Sequence, residues 1–159
     1  GVRQVECTMN GIGERAGNTS LEEVVMALEL RGDLLGAYHE FDTTKLCSLS
    51  RMVEHACGIA VSPNKAFVGR NAFAHQSGIH QDGTLKDPRL YEVCDPAAVG
   101  NRRRMPVGKL SGRNGVSARL LDMGFQLSDA EVDIVYQRFV TDVEIQSDSA
   151  DEVLRQCVA

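Results

Sequence analysis

Only one stretch of this chain, residues 2–8 (Val-Arg-Gln-Val-Glu-Cys-Thr), alternates apolar with polar side chains as a β-strand does. The rest of the chain reads as helix or irregular segment. A lone strand leaves backbone donors and acceptors unpaired along both edges, and it cannot close a barrel. The sequence therefore predicts an α+β fold that is mostly helical: one strand unit, then helices. The first residue is Gly1 and the strand-like run begins almost at once, so the expectation is a piece of a longer chain. With 159 residues, 43% of them apolar and 25% charged, there is enough material for one ordinary domain or two small ones with a real core.

Charge and cysteine usage narrow the partners. Lys plus Arg number 17 against 22 Asp plus Glu, a net charge of −5, which argues against nucleic acid or an anionic membrane surface. No run approaches the roughly 20 apolar residues of a membrane helix. The cysteines, Cys7, Cys47, Cys57, Cys94 and Cys157, are odd in number and contain no C-x-x-C pair. A disulfide framework or structural zinc site is not expected, and a reducing, cytoplasmic setting is the simpler reading.

Helix signals recur along the chain. Thr19 with Glu22 and Ser20 with Glu23 have capping-box spacing before Leu21, Val24, Val25 and Leu28, with Gly32 as a stop. Residues 43–57 predict a second helix with Leu46, Leu49, Met52, Val53 and Ala56 on one face, ended by Gly58. Residues 115–123 predict a third, with Val116, Leu120 and Leu121 inward. Ser128 with Glu131 opens a helix to about Val140, and Ser149 with Glu152 opens the last, carrying Val153, Leu154 and Val158. Residues 69–88 hold glycines, two histidines and no clean period, and are read as irregular and functional or mobile. A joint is expected near residues 95–110.

Three groups of residues carry possible chemistry. Gly11-x-Gly13-x-x-Ala16 superficially matches a dinucleotide fingerprint, but the capping signals start the helix only at Thr19 or Ser20, after the glycine run. The same turn carries Asn10, Glu14, Arg15 and Asn18, either a ligand crevice at a strand's C-terminal end or a solvated connection. Asn10 could give an amide oxygen to a hard cation, which needs carboxylates or imidazoles beside it. His75 and His80, five apart, do not share a helical face. One as a proton-transfer group with the other held structurally is more plausible than a metal pair. His39 and His55 have no polar companions in sequence. Arg102–Arg104 could meet phosphates, a coenzyme's included, or be a solvated patch.

Two stretches together resemble a known family. Gln4-Val5-Glu6-Cys7-Thr8-Met9-Asn10-Gly11-Ile12-Gly13-Glu14-Arg15-Ala16-Gly17-Asn18, followed by Leu21-Glu22-Glu23-Val24, is similar to the last barrel strand of the 2-isopropylmalate synthase family. Asn71-Ala72-Phe73-Ala74-His75-Gln76-Ser77-Gly78-Ile79-His80-Gln81-Asp82-Gly83, with Leu85-Lys86 and Tyr91-Glu92, resembles that family's linker, and Ser111-Gly112-Arg113 the start of its small helical subdomain.

The resemblance implies the last strand and helix of a (β/α)₈ barrel followed by small helical linker subdomains. Residues 1–40 would be the last barrel strand, active-site loop and helix; 41–95 a helix and the His-containing linker; 96–159 a small helical subdomain. It implies an acyltransferase condensing acetyl-CoA with 2-oxoisovalerate to 2-isopropylmalate in leucine biosynthesis, with a divalent metal (Mn²⁺, Mg²⁺ or Zn²⁺). Asn10 then matches a metal ligand, and His80, Tyr91 and Glu14 match catalytic-pocket groups. The family's His-x-His pair and early-strand Asp are absent from this sequence, so the chain alone is expected to be inactive. Leu110 and Asn114 stand where the family usually has His. Small-molecule substrates and a homodimer are the implied partners, with no nucleic acid and no membrane. Homocitrate synthase, or a non-catalytic dimerisation module, is the alternative; Gln81, where homocitrate relatives tend to carry Val, favours isopropylmalate.

Overall fold

The strand-like run at the N-terminus does not become a strand. In the computed structural model, which describes residues 1–142 and 150–159, residues 2–7 carry no regular structure and Val2 and Val5 are exposed. Only Thr8 is paired, in a single parallel bridge to Ser20: its N–H donates to Thr19 O at 2.9 Å and its carbonyl accepts from Leu21 N at 2.8 Å. Alternation makes a segment suited to a sheet, but a ladder needs a second backbone along its whole length. The predicted strand is therefore corrected to a segment without regular structure that ends in one bridge. A second parallel bridge joins Ala74 and Arg104. Among the described residues the fold is otherwise helical.

One unit comprises Gly1–Phe73 and Cys94–Arg103. Its first helix, α1 (Leu21–Leu35), passes through Gly32, the predicted stop, and ends at Gly36 in the left-handed conformation (φ 61°) that favours glycine. Gly32 keeps a structural task, since its carbonyl accepts from Gly36 N at 2.8 Å. Helix α2 (Leu46–Cys57) ends at Gly58 as expected. Its buried face is Leu46, Cys47 and Ser50, however, and Leu49 and Met52 of the predicted stripe are exposed. Val25, Met26, Leu46, Cys47, Phe73 and Val99 form the core of this unit.

The other unit comprises Ala74–Val93 and Arg104–Ala159. Helix α3 (Gly78–Lys86) lies inside the stretch read as irregular. Its inward residues are Gln81 and Thr84, both polar, so no apolar period announces it. Helices α4 (Arg113–Asp122), α5 (Asp129–Asp142) and α6 (Ala150–Val158) surround a core built on Val116, Leu120, Val135, Phe139 and Leu154. Leu121 of the predicted α4 stripe is exposed. The capping box at α5 forms: Ser128 N donates to Glu131 Oε2 at 2.7 Å, and Glu131 N to Ser128 Oγ at 3.4 Å. Ser149, the predicted opening of α6, lies outside the described residues.

Candidate functional site

In the first unit the glycine-rich turn is folded around Asn10. Asn10 is left-handed (φ 61°), a conformation Asn tolerates because its short amide bonds locally. Its backbone N–H donates to Glu22 Oε2 at 3.0 Å. Its side chain is clamped at both ends by Ser50 of α2: Asn10 Nδ2 donates to the Ser50 carbonyl at 2.9 Å, and Ser50 Oγ donates to Asn10 Oδ1 at 2.5 Å. Gly17 (φ 87°) closes the turn where a Cβ would stand 2.3 Å from the Gly11 carbonyl, so only glycine fits.

Ser20 and Glu22 thus leave their expected capping roles. Ser20 Oγ accepts from Lys65 Nζ instead of capping α1. Glu22 is fully buried, with Lys65 Nζ 3.6 Å from Oε1, a charge contact longer than a hydrogen bond. Lys65 Nζ also donates to Glu23 Oε1 at 2.6 Å. Burial would push the Lys65 ammonium down, but that bond and the charges of Glu23 and Glu22 hold it above the ordinary lysine value. Because α1 begins at Leu21, beyond the glycine run, its N-terminus does not match the dinucleotide pattern. Glu14 lies in the same turn and is exposed.

In the second unit a pair of rings stands on α3. His80 projects from the helix against Tyr91, ring centroids 4.5 Å apart at 41°. Gly83, one turn on, makes room for that contact: a Cβ there would lie 2.5 Å from Tyr91 Cε2. Tyr91 comes just after a short 3₁₀ turn, Pro88–Leu90, capped by Asp87, whose carboxylate accepts from Arg89 N at 3.1 Å. Tyr91 is 42% exposed and His80 is also exposed. His75 is different. It is buried, its ring N–H donating to Glu92 Oε1 at 3.0 Å, and its ring lies edge-on to Tyr91 at 6.2 Å.

The structure therefore brings His80 and Tyr91 together, and sets Asn10 and Glu14 on one loop of the other unit. Sequence reasoning missed the partners: Ser50, Glu22 and Lys65 around Asn10, and Glu92 on His75. Glu92 stands beside Tyr91 in the linker motif, but nothing in sequence spacing pairs position 92 with position 75. His39, expected to lack polar company, has its Nε2 3.1 Å from Glu29 Oε2. Arg102, Arg103 and Arg104 are all exposed. Among the described residues, no three His, Cys, Asp or Glu side chains converge to hold a metal, and no disulfide forms. Asn10 Oδ1 already accepts from Ser50 Oγ and Glu22 Oε2 from Asn10 N, while Glu22 Oε1 has Lys65 Nζ at 3.6 Å. These residues do not make a metal site by themselves.

Residues 67–147, just over half of the chain, match the family described as homocitrate synthase post-HMGL domain-like. The chain belongs to that family. Residues 1–53 match the HMGL-like family. The turn around Asn10 falls in the second match, and the His80–Tyr91 pair in the first. Among similar proteins, the 2-isopropylmalate synthase of Syntrophus aciditrophicus is 50% identical over 159 residues, covering 99% of this chain and 31% of that protein. That of Gloeobacter violaceus is 45% identical over 96% of this chain and 32% of its own length. That of Methylorubrum populi is 51% identical over 87% of this chain and 27% of its own. The family member described here thus spans about a third, or slightly less, of the curated relatives it matches. No helix among the described residues is long and apolar enough to cross a membrane.

Proposed function

We propose that this chain is the later part of an acyltransferase that joins acetyl-CoA to 2-oxoisovalerate, giving 2-isopropylmalate for leucine biosynthesis. The observation that carries the reading is the His80–Tyr91 ring pair, partly exposed, within a segment matched to the family. The names of the relatives supply the substrate class. The reaction removes a proton from the acetyl methyl group and forms a C–C bond from that carbon to the oxo carbon. Water then cleaves the thioester C–S bond, and the sulfur leaves as the thiol of CoA.

An imidazole can exchange a proton near neutral pH, and a phenol can donate a hydrogen bond to a developing oxyanion. His80 and Tyr91 would fill those roles at the acetyl-CoA side, and Glu14 would be a polar group of the active-site loop that carries Asn10. Residues 1–40 would be the last strand, loop and helix of a (β/α)₈ barrel, residues 41–95 the helix and linker, and 96–159 the small helical subdomain. Residues 2–7 would be laddered by neighbouring strands. A divalent cation (Mn²⁺, Mg²⁺ or Zn²⁺) would polarise the ketone. Asn10 would give it one neutral oxygen, and its other ligands would come from outside the described residues. A cytoplasmic homodimer fits this reading.

The test is thiol release dependent on acetyl-CoA and 2-oxoisovalerate, with Mg²⁺ or Mn²⁺. This chain alone should release none, and a longer protein carrying it should turn over and lose activity on His80→Ala. Turnover by the 159-residue chain alone would overturn the reading of it as an incomplete part, and full activity of the His80→Ala protein would overturn the role given to His80.

A further inference from the structure

His75 ties together the two elements that carry the ring pair. Its ring N–H donates to Glu92, the neighbour of Tyr91; the two side chains are 9% and 3% exposed. Its backbone carbonyl accepts from Gln81 Nε2 at 2.8 Å, and Gln81 is the neighbour of His80. Its own N–H donates to Arg104 O at 3.0 Å. One buried residue is thus bonded to the residue next to each ring, and the proposed chemistry does not use it.

We propose that His75 and Glu92 are positioning residues, whose buried hydrogen bond sets Tyr91 against His80. This rests on the reading of His80 and Tyr91 as reacting groups. An exposed ring changes rotamer on the picosecond-to-nanosecond scale, so a half-exposed tyrosine keeps its place only if its backbone is fixed and its neighbours leave it one slot. Glu92 supplies the first condition. Its side chain is anchored on His75, and its N–H donates to Pro88 O at 2.9 Å, beside Tyr91 N on the same carbonyl at 3.0 Å. His75 and Gly83 supply the second, one ring edge-on to Tyr91 and one bare backbone beneath it. A buried His–Glu pair is poor at adding stability, because desolvation offsets its attraction, whereas it is good at fixing a geometry. Reacting groups need placement to within about half an ångström.

The test is nuclear magnetic resonance on the 159-residue chain. His75→Phe keeps an aromatic ring and removes the donor. The expected result is a core methyl spectrum like the wild type's, with the His80–Tyr91 through-space contact reduced by more than half. Glu92→Gln, whose amide oxygen still accepts, should keep most of it. An undiminished contact in His75→Phe would overturn the proposal. If the variant does not fold, the wild type decides: the His75 ring proton must exchange slowly and show a contact to Glu92, and rapid exchange sinks the idea. Thiol release by a longer protein is scored separately. An inactive wild type with an intact ring contact counts against the functional reading, not against the positioning.

Discussion

Gly83→Ala should separate stability from function. Gly83 lies inside α3, where alanine is favoured over glycine by about 1 kcal/mol. An added Cβ would stand 2.5 Å from Tyr91 Cε2, 3.3 Å from Cδ2 and 3.5 Å from Cζ. Carbon atoms prefer separations of about 3.5–4.0 Å, so the ring must retreat by roughly 1 Å or more. Tyr91 is 42% exposed and can swing outward, which keeps the steric cost small. The melting temperature should therefore hold or rise by a few degrees, about 2–4 °C at most. Displacing a reacting group by about 1 Å costs on the order of 100-fold in rate. Calorimetry of the chain, its His80–Tyr91 contact by magnetic resonance, and thiol release by a longer protein carrying the substitution measure the three effects. A fall in melting temperature alongside activity would make Gly83 a packing position only. Full activity with an undisturbed ring pair would refute the steric argument.

Other substitutions test the remaining supports. Ser128→Ala removes the reciprocal bonds with Glu131 at the start of α5 and should cost about 1 kcal/mol in chemical denaturation, while Ser128→Thr should not. Asn10→Ala should cost about 1–2 kcal/mol for the left-handed backbone alone, with more for the lost Ser50 bonds, whereas Asn10→Gly should recover the backbone part. The hydrogen bond from Arg119 holds the Asp151 carboxyl below its ordinary value, with Arg119 Nη2 2.5 Å from Asp151 Oδ2. A lowered folded-state value means the pair's contribution is present above the unfolded value near 4 and is lost as pH falls through the folded one. Asp151→Asn should thus lower the melting temperature at pH 6, and by progressively less as pH falls below about 4; an equal loss at every pH would contradict the linkage.

Legibility in the sequence depended on which forces are local. The end of α2 at Gly58 and the capping box of α5 are fixed within four residues of chain, and both formed. The strand expected over residues 2–8 did not form, because a strand is a property of two backbones and, among the described residues, this run is bridged at Thr8 to Ser20 alone. Helix α3 escaped because its buried side chains are polar. Gln81 is wholly buried yet donates through Nε2 to the carbonyls of His75 and Pro106. The face of α2 was misjudged because Ser50, not Leu49, is drawn inward to hold Asn10. The motif residues themselves were visible. Their partners were distant in sequence, 40 residues away for Asn10 and 17 for His75.

The polar interior of α3 bears on when the ring pair exists at all. A nine-residue helix is too short to persist by itself in water, and this one has no apolar stripe to dock early. It is held by Gln81 reaching two carbonyls outside the helix and by close backbone approach, Gly78 to Gly112, where a Cβ would lie 2.7 Å from nitrogen. Its amide hydrogens should exchange only when the surrounding unit opens, rather than by fraying. His80 and Tyr91 then come together only when the surrounding unit is assembled, and an unfolded chain holds no half-formed pair.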